Sequence, residues 1–255
     1  MSRTPLDEIG SLVQRAPVLE ACRDGPVGRP TIAERADCSR ATAYRATGSL
    51  EERGLLEKVG NGYRLTGVGR TVLRQIESFR SGLDGTTTLE PVLAHVDAPE
   101  LAANADLFTD ATVVQSTPAA PYSVDQHIAA IIESTEESMT GLTSSFASPS
   151  VMAASYEVIR SGVDVEWVLT QSAFDGVRRQ HNEGHDELMR FDTTTTYIVD
   201  QSPLDIGIYD GTLVVAGFDD ESGIVAAVAT TDDDAAVEWG KGIVADHKAR
   251  GEPLD

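Results

Sequence analysis

Lysine is nearly absent from this sequence. Of its 20 basic residues only Lys58, Lys241 and Lys248 are lysines, set against 41 Asp and Glu, and the net charge is −21. Carboxylates hold water and hydrated cations at a surface where long lysine stems would expose hydrocarbon. The balance predicts a halophilic protein of archaeal type, working in concentrated salt. Cysteine is equally scarce. Cys22 and Cys38 are too few for a disulfide framework and, without clustered histidines, too few for a structural zinc, so no metal or cofactor is expected and a thiol switch is the only redox role left open. Long hydrophobic runs are missing too: nothing approaches the roughly 18 apolar residues that span a membrane, and the opening MSRTPLDEIG has no hydrophobic signal region. A cytoplasmic chain without membrane contact is expected. Signatures of catalysis are absent as well, with no Gly-x-Ser-x-Gly elbow, no Gly-x-Gly-x-x-Gly and no phosphate loop.

At 255 residues the chain is long enough for a small and a moderate domain, each with its own core. Charge separates them. Residues 1–80 carry 13 basic and 10 acidic side chains, a net +3, whereas residues 81–255 carry 7 and 31, a net −24. DNA repels a uniformly acidic surface, so a contact face must be locally neutral or basic. Only the first 80 residues meet that condition.

Within them Leu6, Ile9, Leu12 and Val13 share one face of a short helix, and Pro17 opens a second that buries Val18, Leu19, Ala21 and Cys22. Pro30 or Thr31 starts a third, with Ile32, Ala33 and Ala36 inward, and Asp37-Cys38-Ser39 breaks it. Ser39 caps a fourth helix whose buried stripe is Ala43, Ala46 and Leu50 and whose opposite face carries Arg40, Thr42, Tyr44 and Arg45. Small residues let two helices pack closely while long donors reach base edges and phosphates. Thr31, Ser39, Arg40, Thr42, Tyr44 and Arg45 are therefore the candidate DNA contacts. Two short apolar runs flank Gly60-Asn61-Gly62, an Asn-Gly hairpin signal, from which Asn61, Tyr63 and Arg64 would touch backbone or minor groove.

The segment TIAERADCSRATAYRATGSLEERGLLEKVGNGYRLTGVGR resembles the winged-helix segment of IclR-type, MarR-type and many archaeal regulators, the order SRATAYR, LEERGLLEK, GYRLT carrying the match. The resemblance implies an α-rich α+β winged helix-turn-helix domain over residues 1–65 that binds double-stranded DNA. Two departures stand out. Gly48 lies inside the recognition helix, where glycine costs about 1 kcal/mol relative to alanine, and Ala43 is smaller than the usual Val or Leu. A helix-and-hairpin module that serves protein contacts alone is the alternative.

Thr66 can cap a helix predicted to reach about residue 82, on which Val68, Val72, Ile76, Phe79 and Leu83 are spaced 4, 4, 3 and 4 apart. Such a seam needs a partner. It is either the chain's own second domain or the same helix of a second subunit, as the paired half-sites of such regulators require. Residues 66–88 are thus the linker and dimerisation segment, ended by a polar break at Gly85-Thr86-Thr87-Thr88.

From residue 111 strands and helices alternate: Ala111–Gln115, a helix over Val124–Glu137, Met139–Phe146, a helix over Ser150–Arg160, Val163–Thr170 and a helix from Ser172. Alternation of this kind argues for an α/β domain with a mixed sheet over residues 89–255. Thr196–Asp200, Leu204–Tyr209 and Thr212–Phe218 read as antiparallel strands, the last two joined at Asp210-Gly211, with Ile224–Thr230 as a fourth. A closing helix begins at Asp232–Asp234 and ends near Lys248 and Arg250, so its charges complement its dipole.

In GLTSSFASP, VEWVLTQSAFDGV, SPLDIGIYDGTLVVAGFDDESG and AVEWG this region is similar to the middle domain of an archaeal regulator family named for control of methanogenesis and filament growth, abundant in haloarchaea. A more distant similarity is to TrmB-type sugar-sensing regulators, whose effector domain resembles half of a phospholipase D. That chemistry needs a histidine nucleophile two positions before a lysine. His247-Lys248 is adjacent instead, so no enzyme is expected.

His181 and His185 share a helical face with Glu187 nearby, yet Gly184 weakens that helix and a solvated segment is the expectation. Glu133, Glu136 and Glu137 read as a solvated acidic face. An effector would bind outside the carboxyl ends of the parallel strands, at Thr143, Ser144, Thr170, Gln171 and Ser172, where helix starts offer N–H groups; these residues can equally be caps. The reading that unites these features is a ligand-responsive, homodimeric DNA-binding transcription regulator. The alternatives are an α/β domain that serves only for pairing or docking and, more remotely, a phospholipase-D-like enzyme.

Overall fold

The computed structural model describes residues 5–145, 148–180, 193–219 and 223–254. The chain divides into two compact units, Met1–Ser81 and Gly82–Asp255.

The first unit contains α1 (Pro5–Val13), α2 (Ala16–Glu20), α3 (Arg29–Arg35), α4 (Arg40–Glu52) and the hairpin β1 (Leu56–Val59) and β2 (Gly62–Leu65). Asp37 takes a left-handed φ of 45° between α3 and α4, and Ser39 caps α4 by accepting from the Thr42 amide at 3.0 Å. Leu19, Cys22, Ile32, Ala43, Leu50 and Leu56 close the core. In the hairpin Val59 pairs with Gly62, so the turn residues are Gly60 and Asn61 rather than Asn-Gly. Gly62 is needed for a different reason: a Cβ there would lie 2.9 Å from the Val27 amide nitrogen, in the short antiparallel bridge between Val27 and Tyr63.

Helix α5 (Gly67–Thr88) is longer than the sequence suggests and carries the chain from one unit into the other. The expected polar break at Gly85–Thr88 is instead its last turn. Thr86 and Thr87 turn their hydroxyls back onto the carbonyls of Gly82 and Leu83, at 2.7 and 3.0 Å, so the polar side chains stay within the helix. Gly85 permits the close approach of the Ala105 carbonyl.

The second unit opens with helices that periodicity did not reveal, α6 (Glu90–Leu93), α7 (Pro99–Ala103) and a 3₁₀ turn (Ala105–Phe108). They are too short for a pattern to develop. There follow β3 (Thr112–Gln115), α8 (Ser123–Glu133), β4 (Ser138–Thr143), α9 (Pro149–Arg160), β5 (Asp164–Thr170), α10 (Gln171–Gln180), β6 (Thr194–Val199), β7 (Asp205–Tyr209), β8 (Thr212–Phe218), β9 (Val225–Thr231), α11 (Asp234–Lys248) and β10 (Glu252–Pro253). Their sheet is mixed, in the order β10-β6-β5-β4-β7-β8-β9-β3, with β4, β5 and β6 parallel. The expectation that β6 runs antiparallel beside β7 is overturned. A helical crossover, α10, returns the chain to pair β6 parallel to β5, and β7 docks on the far side of β4.

One sheet face packs Val168, Ile206, Leu213 and Val215 against Leu89, Phe108, Val237 and Val244, while the other packs Met139, Val165 and Val214 against Ile128 and Ile132 of α8 and Val158 of α9. Each such side chain, fully buried, contributes on the order of 1.5–3 kcal/mol. Asp210 (φ 45°) and Gly211 (φ 88°) form the β7–β8 turn, and the Asp210 carboxylate accepts from the amides of Glu136, Glu137 and Ser138. Glu136 and Glu137 thus lie beyond the end of α8 in a turn, not on its acidic face.

Candidate functional site

In the first unit, packing of Ala43, Ala46 and Leu50 against the core leaves the other side of α4 to solvent. Thr31, Ser39, Arg40, Thr42, Tyr44 and Arg45 are all exposed, Tyr44 to 61%. Ser39 and Thr42 share a hydrogen bond of 2.9 Å at the cap, and Arg45 Nε reaches back to the Ala41 carbonyl at 3.4 Å. On the hairpin Asn61 and Arg64 are exposed, with Arg64 Nε 2.7 Å from Glu57 Oε1.

Tyr63 requires a correction. It is only 3% exposed, because its strand residue faces the core beside the Val27 bridge, and its hydroxyl accepts from Arg29 Nη2 at 2.6 Å. Arg29 also donates from Nε to Thr47 Oγ1 at 3.0 Å. Sequence reading missed both Arg29 and Thr47. A threonine on the apolar side of α4 was the one available signal, and its hydroxyl is anchored to the Tyr44 carbonyl at 3.1 Å.

The α5 seam is split. Val72 and Ile76 are half-buried against the first unit's own core together with Leu73, whereas Val68, Phe79 and Leu83 are exposed. Cys22 is buried and Cys38 partly so, neither in a disulfide; burial pushes the Cys22 thiol up to about 11, against the opposing pull of Arg35. A thiol at that value is protonated near neutral pH and slow to react.

In the second unit, Thr143, Ser144, Thr170 and Ser172 are brought together at the carboxyl ends of β4 and β5. Thr170 Oγ1 lies 3.3 Å from the Ser144 carbonyl and 3.0 Å from Ser172 Oγ. Gln171 is turned away, exposed and bonded to Asp175 at 3.1 Å. At the centre is a residue that sequence reading did not select, Asp205, the first residue of β7. Its carboxylate accepts from Thr143 Oγ1, from the Ser144 amide at 2.7 Å and from Ser144 Oγ at 2.7 Å. Burial raises its carboxyl above the ordinary range, and the donations from Thr143, Ser144 and the Ser145 amide offset only part of that. An acid inside the apolar strand LDIGIY was the legible signal.

Beside Asp205 lies a cavity of about 150 Å³ between the sheet and helices α8, α9 and α10. Its floor follows from two glycines. Gly141 on β4 and Gly207 on β7 are cross-strand partners, and the space their missing side chains leave is occupied by the rings of Trp167 and Tyr209. Ile128, Ile132, Val151, Val214 and Phe218 supply much of the apolar wall. Burial pushes the Tyr209 hydroxyl up to about 12.

His181, His185 and Glu187 lie outside the described residues. Among the described residues no group of three or more His, Cys, Asp or Glu is placed to hold a metal, and no helix is long and apolar enough to cross a membrane. His247 Nδ1 is 2.9 Å from the Ile243 carbonyl and Lys248 is paired with Glu166, so these two side chains do not converge on a common point.

A helix-and-hairpin unit followed by an α/β sandwich with an apolar, polar-edged cavity defines a two-domain α+β protein. Residues 121–250, half of the chain, match the family model of the middle domain of the methanogenesis regulatory protein FilR1, and the chain belongs to that family. Residues 6–87 match the model of the HVO_A0261 N-terminal domain. Among solved structures the chain is similar to TrmBL2, described as an archaeal chromatin protein with a novel mode of DNA binding, at 14% identity over 98% of this chain and 100% of that one, TM-score 0.46. It is similar also to Nuc of Salmonella typhimurium, described as a phospholipase D family member, at 17% identity over 57% and 99% of the two chains, TM-score 0.43. For NucT of Helicobacter pylori the values are 13%, 57%, 99% and 0.44. No curated protein matches the chain.

Proposed function

We propose that the protein is a sequence-specific DNA-binding transcription regulator, a homodimer whose response is set by a small ligand. In this reading residues 1–65 are a winged helix-turn-helix, α4 enters the major groove and the hairpin is the wing. Residues 66–88 couple the two parts, and residues 89–255 sense. The observation that carries it is the exposed face of α4. Arg40, Thr42, Tyr44 and Arg45 project away from a stripe of small buried residues, on the only part of the chain whose net charge is not strongly negative. The family matches, to an archaeal regulator's middle domain and to a separate amino-terminal domain, support the same division.

Chromatin immunoprecipitation with the wild-type protein would recover its target fragments. An Arg40→Ala/Arg45→Ala double variant should bind them at least about tenfold more weakly in a gel shift at molar potassium chloride, since each good base contact is worth roughly 1–3 kcal/mol. Counterion release supplies little drive in such salt, so base contacts must dominate. Retention of wild-type affinity would sink the assignment of α4.

The cavity favours ligand response over a purely pairing or docking role for the second domain, because an apolar pocket edged by a few polar groups is the usual form of a small-molecule site. An enzyme reading finds no support in the residues, as the His-x-Lys of phospholipase D chemistry is missing from the sequence.

A further inference from the structure

The chemistry of the cavity narrows its occupant, on the premise that this is the sensing site proposed above. Asp205 is 9% exposed, and among the described residues no Lys, Arg or His forms an ion pair with it. Hydroxyl and amide donors from Thr143, Ser144 and Ser145 hydrogen-bond the carboxylate but bring no positive charge. A buried charge without a counter-charge is costly. The remaining walls are aliphatic and aromatic, with the rings of Tyr156, Trp167, Tyr209 and Phe218 all contributing. Aromatic faces attract cations.

An anion would find no positive partner here and would oppose ionisation of Asp205, whereas an ammonium group would favour it, and a sugar would leave most of its hydroxyls unpaired against apolar walls. We propose that the cavity binds a small organic amine, its ammonium group against Asp205 and its hydrocarbon body against the rings of Trp167 and Tyr209. A volume of about 150 Å³ is that of an engineered cavity able to hold benzene, so the ligand is an amine of about that bulk.

Isothermal titration of the full-length protein with benzylamine, benzyl alcohol and benzoate, in molar potassium chloride and without DNA, tests this. Benzylamine should bind at least about tenfold more tightly than benzyl alcohol, a coupling of about 1.4 kcal/mol, and benzoate should not bind. Asp205→Asn should abolish the preference for the amine while the alcohol still binds. Val214→Phe, which fills the cavity from β8 at the position opposite Gly207 and not opposite Asp205, should weaken amine and alcohol alike and serves if the Asn variant fails to fold. Equal binding of the alcohol, binding of benzoate, no binding of any probe, or an Asn variant that keeps the amine preference would each overturn the proposal. Because no DNA is present, a negative result here leaves the gel-shift test of DNA recognition standing, and the converse holds.

Discussion

The guanidinium of Arg29 lies 4.1 Å from the centre of the Tyr44 ring, and the Tyr63 ring is 4.9 Å from the same group. A residue at the start of α3 therefore holds the exposed aromatic of α4 and the hairpin at once. Arg29→Ala should destabilise the first unit by about 1–3 kcal/mol, since it removes the partner of the Tyr63 hydroxyl, one bond to the buried Thr47 and the ring contacts together. Arg29→Lys should recover less than half of that loss, because an ammonium cannot fork between two acceptors. Urea unfolding monitored by circular dichroism checks both, and an alanine variant within about 0.5 kcal/mol of wild type would discount the clamp.

Two glycines three residues apart in α5 should respond with opposite signs. A Cβ at Gly82 meets nothing, so Gly82→Ala should gain about 1 kcal/mol from helix propensity. At Gly85 the new methyl would run into the Ala105 carbonyl, a backbone atom, and Gly85→Ala should lose about 1–3 kcal/mol. Thermal melts of the two variants decide it; shifts of the same sign would be evidence against the close approach.

Asp205 gives the second unit a pH dependence of definite sign. Its folded carboxyl is raised above the ordinary value of 3.8, so over the window above 3.8 the folded state holds a proton that the unfolded state has released. Stability is therefore full below that window and falls as pH rises through it. Relative to wild type, Asp205→Asn should gain stability progressively as pH rises above 3.8. Unfolding midpoints measured at a series of pH values test this, and parallel wild-type and Asn curves would contradict it.

Phe79, 59% exposed, and Leu83, 52% exposed, are apolar side chains on α5 with no place in the first unit's core. If a second copy covers them, Phe79→Asp and Leu83→Asp should each convert a sedimenting dimer to monomer, because a carboxylate at a close apolar seam cannot be paired. A wild-type monomer, or variants that sediment unchanged, would refute the homodimer.

Much of the fold was legible because local pattern governs it. The stripe Ala43, Ala46 and Leu50, the cap at Ser39 and the Asp210-Gly211 turn all depend on neighbours within a few positions, and their structure follows from helix period, capping and turn preference. Of the five residues expected at the strand ends, Thr143, Ser144, Thr170 and Ser172 do lie together and Gln171 does not.

What the chain alone determined is thus the kind of each long element, the uneven charge and the exposed basic face of α4. Tertiary structure decided the rest. Tyr63 turned inward, β6 joined β5 in parallel, and Gly141 met Gly207 so that the rings of Trp167 and Tyr209 could lie over them beside the cavity. Those outcomes join segments distant in sequence, as Thr143 and Asp205 are. No local period records which strand lies beside which, because that choice is settled by burying whole faces at once.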